Sequence, residues 1–263
     1  MREQRRLGVT KPKVAIFKFA SCSGCQLVFL NCEDELLDIL GAIDIAFFPE
    51  AKRENAEGPY DIGFVEGAIT SPDEVERILE VRRQCKTLVA IGACAFTGGL
   101  PSLKNWKKLP WIKSEVYPNP DWIESLETAF GIDAYVRVDA YLKGCPINKA
   151  ELLELVVSTL LQKTPNLRAH SVCVECKLKE NACLLTYGGQ ACMGPVTNAG
   201  CGALCPSNAR ACFGCYGTSN DANVTSLGEI FEDLGMPRSA IVRKFRYFAG
   251  TQEAFKKGAG SYD

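Results

Sequence analysis

A dense run of cysteines in the second half of the chain constrains its fold more than any other feature. Eight of the fourteen cysteines lie between Cys173 and Cys215, interleaved with Gly, Asn, Pro and other small residues and without apolar periodicity. Such a segment cannot bury enough side chain to hold itself together, so metal centres or disulfides must stabilise it. We therefore predict a smaller, mostly irregular domain over residues 169–263.

The rest of the sequence favours metal centres over disulfides. We find no transmembrane run, and the apolar stretch that follows Arg5 and Arg6 is too short for a signal peptide. These observations predict a cytoplasmic protein, where thiols stay reduced. With 30 basic and 31 acidic side chains, the net charge of −1 provides no field that would favour nucleic acid or a membrane surface.

The first part of the chain alternates strand-like and helix-like segments. Apolar runs predict strands over residues 14–20, 43–48, 62–66, 88–92 and 134–138. The helical pattern predicts helices over residues 25–40, 72–84 and 148–161, with one more over 222–234 in the second half. This alternation indicates an α/β domain over residues 1–168, built as a flavodoxin-like doubly wound parallel sheet.

Four further cysteines follow the predicted strands. Cys22 and Cys25 come just after the first strand in SCSGC, Cys94 after the fourth in IGAC, and Cys145 after the fifth in KGCP. Loops that follow parallel strands emerge at one edge of the sheet, so we expect the four thiolates to converge. Glu66 ends the third strand and should point to this edge, either beside the bound centre or as a carboxylate that caps a helix or turn.

Four thiolates can bind either a 4Fe-4S cluster or a zinc ion. Structural zinc usually lies between two short CxxC knuckles, whereas this first set has one CxxC and two isolated cysteines, which favours iron–sulfur. The second half offers two more sets, and for these zinc ribbons would serve as well. The two sets are Cys201, Cys205, Cys212 and Cys215, and upstream Cys173, Cys176, Cys183 and Cys192. Cys32 and Cys85 are expected to be ordinary buried residues.

Several of these motifs together resemble a known family. SCSGC, VEGAI, IGACA, GCP before a helix, CMGPVTNAGC and CFGC follow one another in this order over nearly the whole chain. The chain thereby resembles the small, electron-transfer subunit of nickel-iron hydrogenases, and especially the soluble, sulfhydrogenase-type delta subunit that works with NADP(H). It has no GxGxxG dinucleotide motif of its own.

The resemblance implies three iron–sulfur clusters. The cluster nearest the active site is assigned to the four cysteines that follow the strands, and the middle cluster to Cys201, Cys212 and Cys215. Periplasmic relatives have a proline at the fourth place of the middle cluster and a 3Fe-4S centre. Because this chain has Cys205 there, the resemblance predicts a 4Fe-4S cluster instead.

The far cluster departs from the family pattern. Relatives use a histidine, in the pattern H-x-x-C, and two later cysteines, which Cys183 and Cys192 match. Either Cys173 replaces the histidine and Cys176 follows, or His170 and Cys173 keep the pattern and Cys176 is left over. Four cysteines are preferred, because the alternative leaves a reactive thiol beside a metal centre.

The resemblance also implies the function. Hydrogen is split or made at nickel and iron in a separate large catalytic subunit, and this chain relays electrons through three 4Fe-4S clusters to partner subunits that bind flavin and NAD(P) or carry further iron–sulfur centres. No residue of this chain is then catalytic. Two alternatives are a related quinone-reductase subunit with one terminal cluster, which normally lacks the C-terminal eight cysteines, and a zinc-stabilised scaffold protein without a redox role.

Overall fold

A five-stranded parallel sheet organises the first half of the protein. The computed structural model describes residues 11–32, 35 and 41–263. The strands are β1 (Lys13–Lys18), β2 (Asp44–Phe47), β3 (Tyr60–Glu66), β4 (Cys85–Ile91) and β5 (Ala140–Leu142). They lie in the order β2-β1-β3-β4-β5, and every neighbouring pair is parallel. This order confirms the predicted flavodoxin-like α/β fold.

The central strands are apolar along most of their length because both faces of the sheet are covered. In β1, Val14 and Ile16 enter one apolar cluster, whereas Ala15 and Phe17 enter the cluster on the opposite face. Successive side chains of a strand point to opposite faces. The continuous apolar runs in the sequence are therefore what a sheet buried on both sides requires.

Helices connect the strands and cover the sheet. They are α1 (Gly24–Leu30), α2 (Pro72–Gln84), α3 (Gly92–Thr97), α4 (Leu109–Val116) and α5 (Lys149–Leu160). Helix α2 has Pro72 at its start and Arg82 and Arg83 in its last turn, which suits the helix dipole. Asn148 caps α5 by accepting the N–H of Ala150. The helices predicted over residues 72–84 and 148–161 are confirmed.

Two predictions for this half need correction. The strand predicted over residues 134–138 is wrong, because Ile132–Ala134 is a 3-10 turn and the edge strand is β5. Val136 and Val138 pack against the apolar core from an irregular segment, which imitates the pattern of a strand. The helix predicted over residues 25–40 ends at Leu30. Its residues 33–34 and 36–40, like the pair Arg5 and Arg6, lie outside the described residues.

The second half contains five helices among the residues that the structure describes. They are α6 (Val172–Leu178), α7 (Leu204–Ser207), α8 (Val224–Asp233), α9 (Arg238–Arg246) and α10 (Glu253–Gly260). Helix α8 was predicted, but α9 and α10 were not. Together with parts of the cysteine segment, the last three helices form an apolar cluster around Phe231, Phe245 and Phe255, all of which are fully buried.

This cluster consists only of residues from 172 onward, so the second half has an apolar core of its own. The domain boundary between residues 168 and 169 remains a prediction. No helix in the described parts of the chain is both long and apolar enough to cross a bilayer.

Candidate metal centres

The four cysteines of the sheet loops lie at the carboxyl edge of the sheet. Cys22 and Cys25 flank the start of α1 after β1, Cys94 lies in α3 directly after β4, and Cys145 follows β5. The pKa of Cys94 is raised to about 12. Burial is the largest cause, and the neighbouring Cys145 and Cys22 thiolates add to it. Burial and nearby negative charges also raise the pKa of Cys25 and of Cys145. The four sulfurs are therefore within electrostatic reach of one another, and a cationic centre would displace their protons.

The backbone approaches this set very closely. Gly92 has a φ of +81°, and a Cβ atom at this position would lie 2.4 Å from Sγ of Cys25. A larger residue would therefore be strained and would clash with the sulfur. The backbone N–H of the following residue, Ala93, donates to the Gly144 carbonyl at 2.6 Å. This hydrogen bond connects α3 to the loop that carries Cys145.

Glu66 lies at the end of β3 and is buried. Its carboxylate accepts the backbone N–H of Cys25 at 3.2 Å and that of Gln26 at 3.1 Å, two donors that the first turn of α1 leaves unpaired. Burial raises the pKa of Glu66 despite these hydrogen bonds. Glu66 therefore caps α1 and fixes the backbone at Cys25, while a role beside a bound centre remains a prediction.

The four cysteines of the second set lie in the wall of one cavity of about 180 Å³. They are Cys201, Cys205, Cys212 and Cys215. Burial, and then the thiolates of Cys201 and Cys145, raise the pKa of Cys215 to about 12. Cys145 of the first set also lines this cavity. Close-packed protein interiors contain few voids larger than a water molecule, so a cavity with several cysteines in its wall suits an inorganic group of several atoms.

The third set surrounds α6 and the loop after it, and consists of Cys173, Cys176, Cys183 and Cys192. Burial, and then the thiolates of the other three, raise the pKa of Cys173 to about 11. Nδ1 of the His170 ring lies 3.1 Å from the carbonyl oxygen of Ser171. This contact involves Nδ1 alone and leaves Nε2 available, so the choice between four cysteines and a histidine ligand remains a prediction.

The three sets are arranged in series. Cys145 of the first set lines the same cavity as the four cysteines of the second set. The N–H of Cys212 in the second set donates to Sγ of Cys192 in the third, at 3.2 Å. Each set therefore lies beside the next.

Two cysteines stay apart from these sets. Cys32 is fully buried and its thiol donates to the Val28 carbonyl at 3.3 Å, and Cys85 is buried at the start of β4.

Sequence reasoning did not identify Tyr216, which forms part of the wall of the cavity at the second cysteine set. Its position directly after Cys215 was the available signal, but an aromatic residue in that place is equally typical of an ordinary core.

Comparison with known proteins identifies the family. Residues 22–159 match the family described as NADH ubiquinone oxidoreductase, 20 Kd subunit. Over 237 residues the chain is 33% identical to subunit delta of sulfhydrogenase 2 from Pyrococcus furiosus. This match covers 90% of this chain and 99% of that relative.

Two solved structures have a similar fold. A chain of an NAD+-reducing NiFe hydrogenase in the H2-reduced state matches with a TM-score of 0.56 and 28% identity, over 60% of this chain and 96% of that one. A chain of the Ni-Fe-Se hydrogenase from Desulfomicrobium baculatum matches with a TM-score of 0.57 over 79% of this chain and 94% of that one, and at 18% identity it shows the fold alone. The chain therefore belongs to the NADH ubiquinone oxidoreductase 20 Kd subunit family and, within it, to the electron-transfer small subunits of hydrogenases.

Proposed function

We propose that this chain is the electron-relay subunit of a cytoplasmic nickel-iron hydrogenase, and that twelve of its fourteen cysteines bind three 4Fe-4S clusters. The observation that supports this proposal is the serial arrangement of three sets of four cysteines: Cys145 lines the cavity of the second set, and the N–H of Cys212 donates to Sγ of Cys192. When bound, such clusters supply one-electron redox chemistry. The chain itself places the sulfurs, limits water and sets the charge around each site.

The relatives support a partner set for the relay. The Pyrococcus furiosus relative belongs to a sulfhydrogenase, and one similar structure is an NAD+-reducing hydrogenase. On this basis, hydrogen is split or made at the nickel and iron of a separate large catalytic subunit. Flavin- and NAD(P)-binding subunits and further iron–sulfur subunits exchange the electrons. In this scheme no acid, base or nucleophile of this chain takes part in chemistry.

The two alternatives are less well supported. A Zn²⁺ site requires ligands about 2 Å from one point. Among the described residues, no group of three or more His, Cys, Asp or Glu side chains is arranged to bind a single ion. The family match is compatible with a quinone-reductase cluster subunit, but it ends at residue 159, before the eight cysteines of the second half. The Pyrococcus furiosus relative, which matches over 90% of this chain, is a sulfhydrogenase subunit.

Metal analysis of the complex, purified without oxygen, tests the proposal. Three cubanes predict about twelve iron atoms per copy of this chain, together with brown iron–sulfur absorption. About four iron atoms per copy, or stoichiometric zinc in a colourless protein, would contradict it.

Cys205 tests the assignment of the middle cluster. Cys205→Pro should remove one ligand and convert the centre to 3Fe-4S, which gives a paramagnetic signal in the oxidised state that wild type lacks. The converted centre should have a higher potential, because it has less thiolate charge, and should slow hydrogen production more than uptake. Cys85→Ala, a buried cysteine outside all three sets, is the matched control and should leave the spectrum unchanged. A stoichiometric 3Fe-4S signal in wild type would exclude Cys205 as a ligand.

A further inference from the structure

The carboxylate of Glu175 joins the helix of the third cysteine set to a loop of the second set. Glu175 lies in α6 and is 5% exposed. Its Oε1 accepts the backbone N–H of Gly200 at 3.2 Å, and its Oε2 accepts that of Ala203 at 3.1 Å. Gly200 directly precedes Cys201 and Ala203 follows it by two residues. One buried side chain therefore binds the backbone on both sides of a ligand of the second set.

The loop around Cys201 has a backbone conformation that needs such support. Gly200, Gly202 and Ala203 have φ values of +132°, +62° and +51°. The left-handed region is unfavourable for alanine, and glycine loses much conformational freedom when it is fixed there. The packing is also tight, because a Cβ atom placed on Gly200 would lie 2.6 Å from Oε1 of Glu151. The two hydrogen bonds from this loop therefore fix the Cys201 backbone relative to α6.

The charge of Glu175 is compensated from the side of the solvent. Nε of Arg168 lies 3.3 Å from Oε1 of Glu175. The Arg168 side chain is 49% exposed, whereas that of Glu175 is 6% exposed. Water and salt screen an exposed charge more strongly than a buried one. The carboxylate should therefore act on a neighbouring centre more strongly than its positive partner does.

We infer that Glu175 is a positioning residue of the relay, which holds Cys201 against α6 and places a negative charge beside the middle centre. This inference rests on the proposed function. In this step one electron leaves the centre on the second set and one arrives at the centre on the third, with no bond made or broken and no proton moved. A negative charge beside a cluster disfavours the reduced form and lowers its potential. The middle centre then holds its electron less tightly and passes it on more readily.

Two substitutions separate the charge from the hydrogen bonds. Glu175→Gln keeps the length of the side chain but removes the charge and one of the two acceptor oxygens. The middle centre should therefore shift to a higher potential, and the loop around Cys201 should lose hydrogen-exchange protection. Arg168→Gln removes the positive partner and leaves both backbone hydrogen bonds in place. It should shift the potential in the opposite direction, to a lower value, without loss of protection, which a purely structural role of Glu175 would not produce.

Glu154→Gln is the matched control. Glu154 accepts the backbone N–H of Asn166 at 3.0 Å and the hydroxyl of Ser158 at 2.9 Å, so it also fixes a backbone segment through its carboxylate. These partners belong to none of the cysteine sets. The substitution should change neither the potential of the middle centre nor the protection of the loop around Cys201.

The experiment uses the assembled complex with its large subunit. Iron content and the number of paramagnetic centres are measured first, and absence of three clusters in wild type would refute the proposed function rather than this inference. A redox titration followed by paramagnetic resonance then gives the potential of the middle centre. Hydrogen exchange resolved by peptide gives the protection of the loop around Cys201.

With all clusters present, three results would each overturn the inference and leave the proposed function intact. They are an unchanged potential in Glu175→Gln, unchanged protection in Glu175→Gln, and potential shifts of the same sign in Glu175→Gln and Arg168→Gln. If Glu175→Gln loses the middle cluster, Arg168→Gln decides, because it keeps both backbone hydrogen bonds. A lower potential in that variant supports the inference, and an unchanged or higher potential overturns it.

Discussion

The sheet half and the cysteine-rich half are ordered in different ways. In the sheet, neighbouring residues such as Val14 and Ala15 enter apolar clusters on opposite faces, so one repeating pattern supplies both backbone pairing and burial. In the second half, helices α8, α9 and α10 contribute the large buried side chains, while the segment between Cys173 and Cys215 contributes mainly small residues and sulfur. The cysteine segment therefore packs against the helical core and, under the proposed function, would also be stabilised by the centres that its sulfurs bind.

Removal of the metal should produce the largest effect and test this difference most directly. In iron-depleted protein, residues 173–215 should lose most of their hydrogen-exchange protection, helices α8 to α10 should lose some, and the sheet should lose least. The reason is that the cysteine segment has little apolar surface of its own to replace ligation. Hydrogen exchange of matched iron-replete protein is the control. Equal loss of protection in both halves would contradict the distinction.

Core substitutions should separate the two apolar cores. Phe245→Ala removes a fully buried ring that contacts Phe255, and should cost about 3–5 kcal/mol in the free energy of unfolding of the second half. Phe64→Ala, which removes an equally buried ring from the sheet, is the matched variant. Protection measured by hydrogen exchange should fall in the half that carries each substitution. A loss spread evenly over both halves by either variant would show a single cooperative core.

A smaller effect is expected at the edge strand β5. Asp139 accepts hydrogen bonds from Arg82 at 2.6 Å and from the N–H of Leu88 at 2.8 Å. Burial opposes its ionisation, but these two hydrogen bonds outweigh burial and lower the pKa of Asp139. The folded-state pKa is thus below the unfolded value of about 4, so the carboxylate stabilises the fold above that pH and loses this effect as pH falls.

Asp139→Asn should accordingly cost about 1 kcal/mol at neutral pH. The difference from wild type should shrink as the pH falls below about 4. Urea unfolding at several pH values, followed by hydrogen exchange in the sheet, measures it. Glu80→Gln, which changes an exposed carboxylate paired with Arg83, is the control and should have little effect. A cost for Asp139→Asn that does not vary with pH would exclude the charge as its cause.

The sheet half was largely predictable because its order is local and periodic. Apolar runs located four strands, and the rule that parallel strands share a carboxyl edge placed Cys22, Cys94 and Cys145 together before any contact was known. The fifth strand was misplaced because Val136 and Val138 bury apolar side chains without strand geometry. In that case burial alone produced the pattern on which the prediction relied.

The second half was predictable in its cysteines but not in its core. Helix α9 has apolar residues at Ile241, Val242 and Phe245, a helical spacing, but it spans only nine residues and is strongly basic. Its burial depends on contacts distant in sequence, since Met193 belongs to the same cluster. Tyr216 escaped prediction for a similar reason, because its partners Gly144 and Gly200 are brought to it only by the folded chain.

The cavity of the second set also limits how such a chain can be shortened or recombined. Its wall includes Cys145 and Pro146 from the sheet half and Tyr216 from the second half, so the two halves of the chain meet at this cavity. A chain cut back to the sheet half would keep every cysteine of the first set but would uncover the backbone at Gly144 on the side where Tyr216 now packs. Such a single-cluster module would need another chain to cover that side, and a swapped C-terminal module would have to supply an equivalent ring.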